Sequence, residues 1–140
     1  MPEFRQNLAT KDWVIISPER ATRPQDLKSP TPPKPSPAKV KDCPFCPGNE
    51  KSTPAPVLTA GGKADWRVRV VPNKFPVLIP SAPQVPDATP YKSLPGEGIH
   101  EVIVDPPRHA LSLALMEPAA VDELVGAYEA RFNKTLENEK

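Results

Sequence analysis

The segment DCPFCPGNE, residues 42–50, holds both cysteines of the 140-residue chain, Cys43 and Cys46. A Cys-x-x-Cys loop lets two thiolates reach one tetrahedral zinc, each at about 2.3 Å, and Pro47-Gly48 suits a tight turn around an ion. A redox dithiol is a second reading. Such sites open a helix that follows a strand, whereas PGNEKSTPAP follows here and its three prolines break any helix. Two buried cysteines that simply lie close together are the third reading. The metal knuckle fits the local sequence best.

Zinc prefers four ligands, so two thiolates leave two places. The chain has two histidines, His100 and His109, and their separation of nine is not that of a zinc finger. A lone histidine beside a strand is more often hydrogen-bonded or at the surface than a ligand. His109 follows Pro106-Pro107-Arg108 in a loop that can swing toward the knuckle, while His100 leads a strand and can face a cleft. Both stay candidates, and the placement tips toward His109.

The totals narrow what these residues serve. With 18 basic and 17 acidic residues the net charge is +1, which gives no bulk pull toward nucleic acid or an anionic membrane. No apolar run reaches the 18 residues of a membrane span. The N-terminal MPEFRQNLATKDW lacks a signal peptide's apolar core, so the chain reads as cytoplasmic. Thiols stay reduced there, which again favours a metal or redox role over a structural disulfide. Proline supplies 22 residues and glycine 6. Together they fall short of the roughly 25–30% typical of low-complexity disorder, so a folded protein with long irregular connections is expected.

The elements that must hold the site are few. WVIIS, residues 13–17, is a β-branched run stopped by Pro18 and reads as a strand. PERATRP, residues 18–24, carries Arg20 and Arg23 on a turn. Residues 24–40 contain six prolines and read as an extended loop. WRVRVVPN, residues 66–73, alternates with period two: Trp66, Val68 and Val70 face one side and Arg67 and Arg69 the other. Residues 80–98 read as loop. HEVIVD, residues 100–105, is a third strand, with Glu101 and Ile103 on one face and Val102 and Val104 on the other. Pro118 opens a helix whose apolar face is Val121, Leu124, Val125, Tyr128 and Phe132. The helix runs to the last residues with no terminating glycine or proline, so the domain is expected to be incomplete at its C-terminal end. Strands separated by long loops and followed by one amphipathic helix predict an α+β fold with an antiparallel sheet. One helix covers such a sheet poorly, so further chain or a partner subunit is expected to supply cover.

Taken in order, WVIISPERATRP, CPFCPGNE, WRVRVVPNKFP and HEVIVDPPRH resemble the N-terminal half of the galactose-1-phosphate uridylyltransferase family, a branch of the histidine-triad (HIT-like) superfamily. The resemblance runs from about Arg5 to the final helix and makes residues 1–140 an N-terminal HIT-like domain with the proline-rich loop 24–40 inside it. It implies an antiparallel sheet with a packed helix. It also implies a two-step transfer of UMP between UDP-glucose or UDP-galactose and a hexose 1-phosphate through a uridylyl-histidine, in galactose metabolism. That is nucleophilic catalysis, one difficult transfer split into two. By the same resemblance Cys43, Cys46 and His109 are zinc ligands, and the fourth is a histidine of a His-Pro-His motif that also bears the nucleophile. Arg20 and Arg23 match arginines that contact the nucleotide sugar, in some members across a homodimer, a role suited to guanidinium forks. Asn73 matches a residue near the nucleotide. Phe75 and Pro76 would wall the base pocket.

Without the resemblance, Arg20 and Arg23 read as a solvated turn and Asn73 as a turn former. The departure from the family pattern is that these 140 residues contain no His-Pro-His. Alone they are therefore expected to be catalytically inactive. Two alternatives remain: an ADP-glucose phosphorylase-like nucleotidyltransferase of the same superfamily, since nothing selects uracil over adenine, and a non-catalytic zinc-knuckle interaction module. Near-zero charge speaks against nucleic acid as the partner of that module.

Overall fold

The computed structural model describes residues 1–22, 37–63, 65–86 and 90–137. Arg23 and residues 24–36 of the proline-rich loop lie outside the described residues. Among the described residues the fold is α+β, with two three-stranded antiparallel sheets and one long helix, as the antiparallel α+β reading expects. The chain divides into two compact units, Met1–Leu27 with Phe75–His100 and Lys28–Lys74 with Glu101–Lys140.

The first unit is built on strands β1 (Glu3–Gln6) and β2 (Trp13–Ile16), which form a hairpin. Asn7 Oδ1 turns it by accepting from the backbone N–H of Ala9 at 2.9 Å and of Thr10 at 3.3 Å, as asparagine commonly does in turns. In this sheet β1 is the central strand, and the strand running from Ser93 to Pro95 pairs on its other side, so Phe4 lies between Ile15 and Leu94. That last strand falls inside a segment whose prolines and glycines predict loop. A three-residue strand capped by Pro95 suits a sheet edge, where proline forfeits no ladder bond. After β2 the chain makes a 3-10 turn, Pro18–Thr22.

The second unit carries the other sheet, ordered β3 (Leu58–Gly61), β4 (Trp66–Pro72) and β6 (Glu101–Val104), where β5 is the Ser93–Pro95 strand. Trp66 is buried but, beside a register shift, it bonds Glu50 and lies against Arg69 rather than joining Val68 and Val70 in the core. The period-two reading of β4 holds for Val68 and Val70. It fails for Arg69, which is only 3% exposed. Helix α1, Pro118–Glu137, packs on one face of the sheet, with Val68, Val70, Leu124 and Ala127 as core and Leu58, Ala60, Ile103 and Met116 around them. Glu101 and Ile103 share that face: Ile103 joins the core, and Glu101 pairs with Arg131 of α1. The helix sits rotated from its expected orientation. Leu124 and Ala127 are buried, while Val125, Tyr128 and Phe132 are 56%, 56% and 65% exposed. Alanine at 127 lets the helix approach the sheet closely, and the ion pair at Arg131 extends the same stripe at i, i+3, i+7.

Candidate metal centre

The cysteine box is a chain of short turns. Cys46 N donates to Cys43 O at 3.2 Å and Asn49 N to Cys46 O at 3.1 Å. Gly48 makes this possible, because its φ of +92° is strained for any residue with a Cβ. A 3-10 turn, Glu50–Ser52, follows; no α-helix begins at the pair, as expected from its prolines. A redox dithiol of the kind that opens a helix therefore lacks its helix.

The box is tied to β4 by groups whose role the sequence pattern hides. Trp66 Nε1 donates to Glu50 Oε1 at 2.9 Å, and Arg69 Nη2 donates to Thr53 Oγ1 at 2.9 Å. The Arg69 guanidinium carbon also lies 5.0 Å from the centre of the Trp66 ring, within cation–π range. Arg69 is buried because residues following the box cover its face of the strand.

Glu50 accepts from Trp66 and from the backbone N–H of Gly48, with Arg69 adding charge attraction, and these pull its carboxyl from 4.5 down to about 2. A folded value below the unfolded one stabilises the fold above the unfolded value. That contribution disappears as pH falls through the interval from about 4.5 to about 2. In chelator, the stability difference between the parent and Glu50→Gln, followed by urea unfolding at stepped pH, should close over this window. A difference that stays constant there would remove the charge of Glu50 from the account.

His109 arrives from the loop after β6. Its Nδ1 lies 3.4 Å from Cys46 Sγ, and its backbone N–H donates to Ala38 O at 2.8 Å. Of the two histidines this is the one that reaches the box. His100 Nδ1 instead accepts from the backbone N–H of Val77 at 2.9 Å, within the first unit. The ligand atoms of Cys43, Cys46 and His109 all lie within 4.8 Å of one another, and this group could hold a metal ion. Cys46 is buried, Cys43 half-buried and His109 exposed. The backbone N–H of Val40 donates to Cys46 Sγ at 3.4 Å. The three residues line one cleft of about 250 Å³, together with Phe45, Val102 and Val104.

The other described residues singled out by sequence belong to different units. Arg20, on the 3-10 turn of the first unit, donates from Nη1 to Phe75 O at 2.9 Å. Asn73 follows β4 in the second unit. Among the described residues no helix is long and apolar enough to cross a membrane.

Residues 1–140 match the model of the family described as galactose-1-phosphate uridyl transferase, N-terminal domain. The chain belongs to this family. Among relatives of this galactose-1-phosphate uridyl transferase domain, an ADP-glucose phosphorylase of Arabidopsis thaliana is 34% identical over 143 residues, covering 99% of the chain and 40% of the relative. A galactose-1-phosphate uridylyltransferase of Cryptococcus neoformans is 29% identical over 124 residues, covering 83% of the chain and 31% of the relative. The solved structure of an ADP-glucose phosphorylase from Arabidopsis thaliana with bound ADP-glucose superposes with a TM-score of 0.55 at 27% identity, over 96% of the chain and 38% of that structure. The chain thus spans well under half the length of these family relatives.

Asn49, Glu50, Trp66 and Arg69 support the box, and sequence reasoning does not single them out for that role. The one local signal for them is Asn-Glu following Pro47-Gly48 directly. Polar residues behind a tight turn are placed to bond it.

Proposed function

We propose that residues 1–140 are the N-terminal, zinc-bearing domain of a nucleotidyltransferase that moves UMP between hexose 1-phosphates, with UDP-glucose or UDP-galactose as nucleotide sugar. The observation that carries this reading is the match to the family's N-terminal domain along the whole chain. The gathering of Cys43, Cys46 and His109 into one donor set agrees with it.

Zinc suits that set. Two thiolates and an imidazole are its preferred donors, and ligands at about 2.3 Å and 2.0–2.1 Å on a tetrahedral ion stand about 3.6 Å apart, close to the 3.4 Å between Cys46 Sγ and His109 Nδ1. A fourth ligand from outside these residues would close the site. When bound, the metal supplies a cross-link between the cysteine box and the loop after β6. The chain's own residues do the rest: Val40 N–H donates to Cys46 Sγ, and Ala38 O holds the backbone of His109.

Arg20 and Arg23 are assigned to the phosphates of the nucleotide sugar and Asn73 to the nucleotide, on residue chemistry and family position. The nucleophilic histidine lies outside these residues, which contain no His-Pro-His. UDP-glucose should therefore leave no uridylyl adduct on the 140-residue chain by intact mass, and a stable adduct would overturn that assignment. A cytoplasmic homodimer of the full-length form belongs to the same reading.

A second reading is favoured by one observation: the relative that is 34% identical across 99% of the chain is an ADP-glucose phosphorylase. Calorimetric titration of the zinc-loaded protein with UDP-glucose and ADP-glucose tests both. Tighter UDP-glucose supports UMP transfer, and the reverse order supports the phosphorylase. Zinc bound at one equivalent with affinity for neither sugar would leave a zinc-knuckle interaction module.

A further inference from the structure

We propose that Asn49 is the positioning residue of the metal centre, its carboxamide setting the separation of the two thiolates; this rests on the metal-binding reading above. Asn49 stands at the N-cap of the Glu50–Ser52 turn with φ −110° and ψ 20°, yet its side chain makes no capping bond. An asparagine at that place ordinarily uses its side-chain oxygen to accept from a backbone N–H. Here the amide is turned the other way. Nδ2 donates to Lys41 O at 2.8 Å and to Cys43 O at 2.7 Å. Both partners are carbonyl oxygens, so only an NH₂ group with two hydrogens serves both.

The main chain of Asn49 completes the clamp. Its N–H donates to Cys46 O at 3.1 Å, and its carbonyl accepts from Ser52 N at 2.9 Å. One residue therefore holds the chain just before Cys43, Cys43 itself and the peptide of Cys46. Val40 N–H, bonded to Cys46 Sγ, and Ala38 O, bonded to His109 N, lie on the segment whose end Lys41 forms. Fixing Lys41 O thus also fixes the stretch of chain that touches the other two donors. A ligand set is only as good as the shell that orients it, and losing one such support typically costs about 10–100-fold in metal affinity.

The test compares the 140-residue parent with Asn49→Ala and Asn49→Asp. Alanine removes both donors without repulsion. Aspartate keeps the shape and the capping ability but turns an anionic oxygen toward two carbonyls. Zinc affinity is read by competition with a chromophoric chelator and site geometry by the visible bands of the cobalt(II)-substituted proteins. We expect zinc affinity to fall about tenfold for alanine and up to about 100-fold for aspartate, with cobalt bands shifted at saturation and chelated forms melting within a few degrees of the parent. Should aspartate fail to fold, alanine on this half-exposed turn carries the test. Zinc affinities within threefold of the parent with superimposable cobalt spectra would overturn the proposal, whatever the variants do to melting. A parent that binds no zinc would instead remove the metal-binding reading on which it rests.

Discussion

Replacing Cys46 by serine should abolish zinc binding and lower the melting temperature of the zinc-loaded protein to that of the parent in chelator. Cys46 is the buried member of the donor set, 4% exposed, and its sulfur receives both the Val40 N–H and the approach of His109 Nδ1. A serine hydroxyl stays protonated near neutral pH and is a poor zinc donor, so the site loses its central ligand rather than a peripheral one. Binding that favours the folded state stabilises it by about 4 kcal/mol when free metal exceeds the dissociation constant a thousandfold. For a chain of this size that corresponds to a melting shift on the order of 10–15 °C. The box depends on such a cross-link more than the sheet does. It is rich in proline, contributes only Cys46 to the buried apolar residues, and is joined to β4 by polar contacts. Metal content by mass spectrometry and melting with and without chelator decide the matter together. Undiminished zinc, or a zinc-dependent melting shift that survives the substitution, would mean that these thiols do not hold the ion.

What can be read from the sequence is local, and what cannot is set by partners far along the chain. The pairing of Cys43 with Cys46 needs only a spacing of three and a turn, and both are visible in nine residues. The choice of His109 over His100 turns on a backbone bond to Ala38, 71 positions away. Spacing alone can tip that choice but not make it. Strand β4 shows the boundary within a single element. Val68 and Val70 alternate as a half-buried strand should, and they do face the helix. Arg69 follows the same alternation onto the opposite face, which reads as solvent until the residues after the cysteine box are known to cover it. The strands that patterning misses altogether, β1, β3 and β5, are three or four residues long. A sequence such as EFRQ becomes a central strand only because β2 and β5 both pair with it, and period-two patterning carries no information about such pairing. Pro118 marks the start of the helix correctly, but the apolar pattern misplaces its rotation about the axis. Large apolar side chains draw the expected face to Val125, Tyr128 and Phe132, whereas the sheet accepts the stripe holding the small Ala127 and the charged Arg131.

That charged residue carries the second large effect. Arg131→Leu should destabilise the second unit by about 2–4 kcal/mol, near the lower end of what breaking a buried pair costs. Arg131 Nη2 and Nε donate to the two carboxylate oxygens of Glu101 at 2.7 and 2.8 Å, and the side chains are 18% and 14% exposed. The bidentate geometry is the strong form of the interaction. The hydrogen bonds it donates to Glu101 hold the guanidinium firmly in its charged form, raising its pKa further. The residual exposure argues for a value below that of a fully buried pair. Most of the loss comes from the partner left behind: a carboxylate at the start of β6, facing the helix with no cation to answer it. Glu101→Leu combined with Arg131→Leu should therefore recover much of the stability, since a buried pair exchanged for apolar residues is often near neutral. Urea unfolding of the four proteins in the cycle, with metal chelated throughout, separates the two terms. If the double variant is as unstable as the sum of the singles, the pair is not coupled and α1 is held by its other contacts, Leu124 and Ala127 among them. If the single variant is indistinguishable from the parent, the orientation of α1 must be fixed by its apolar contacts and the ion pair is incidental to it. The expected pattern, a costly single and a recovered double, would make the Glu101–Arg131 pair the device that fixes the rotation of the helix, and with it the exposure of Val125, Tyr128 and Phe132.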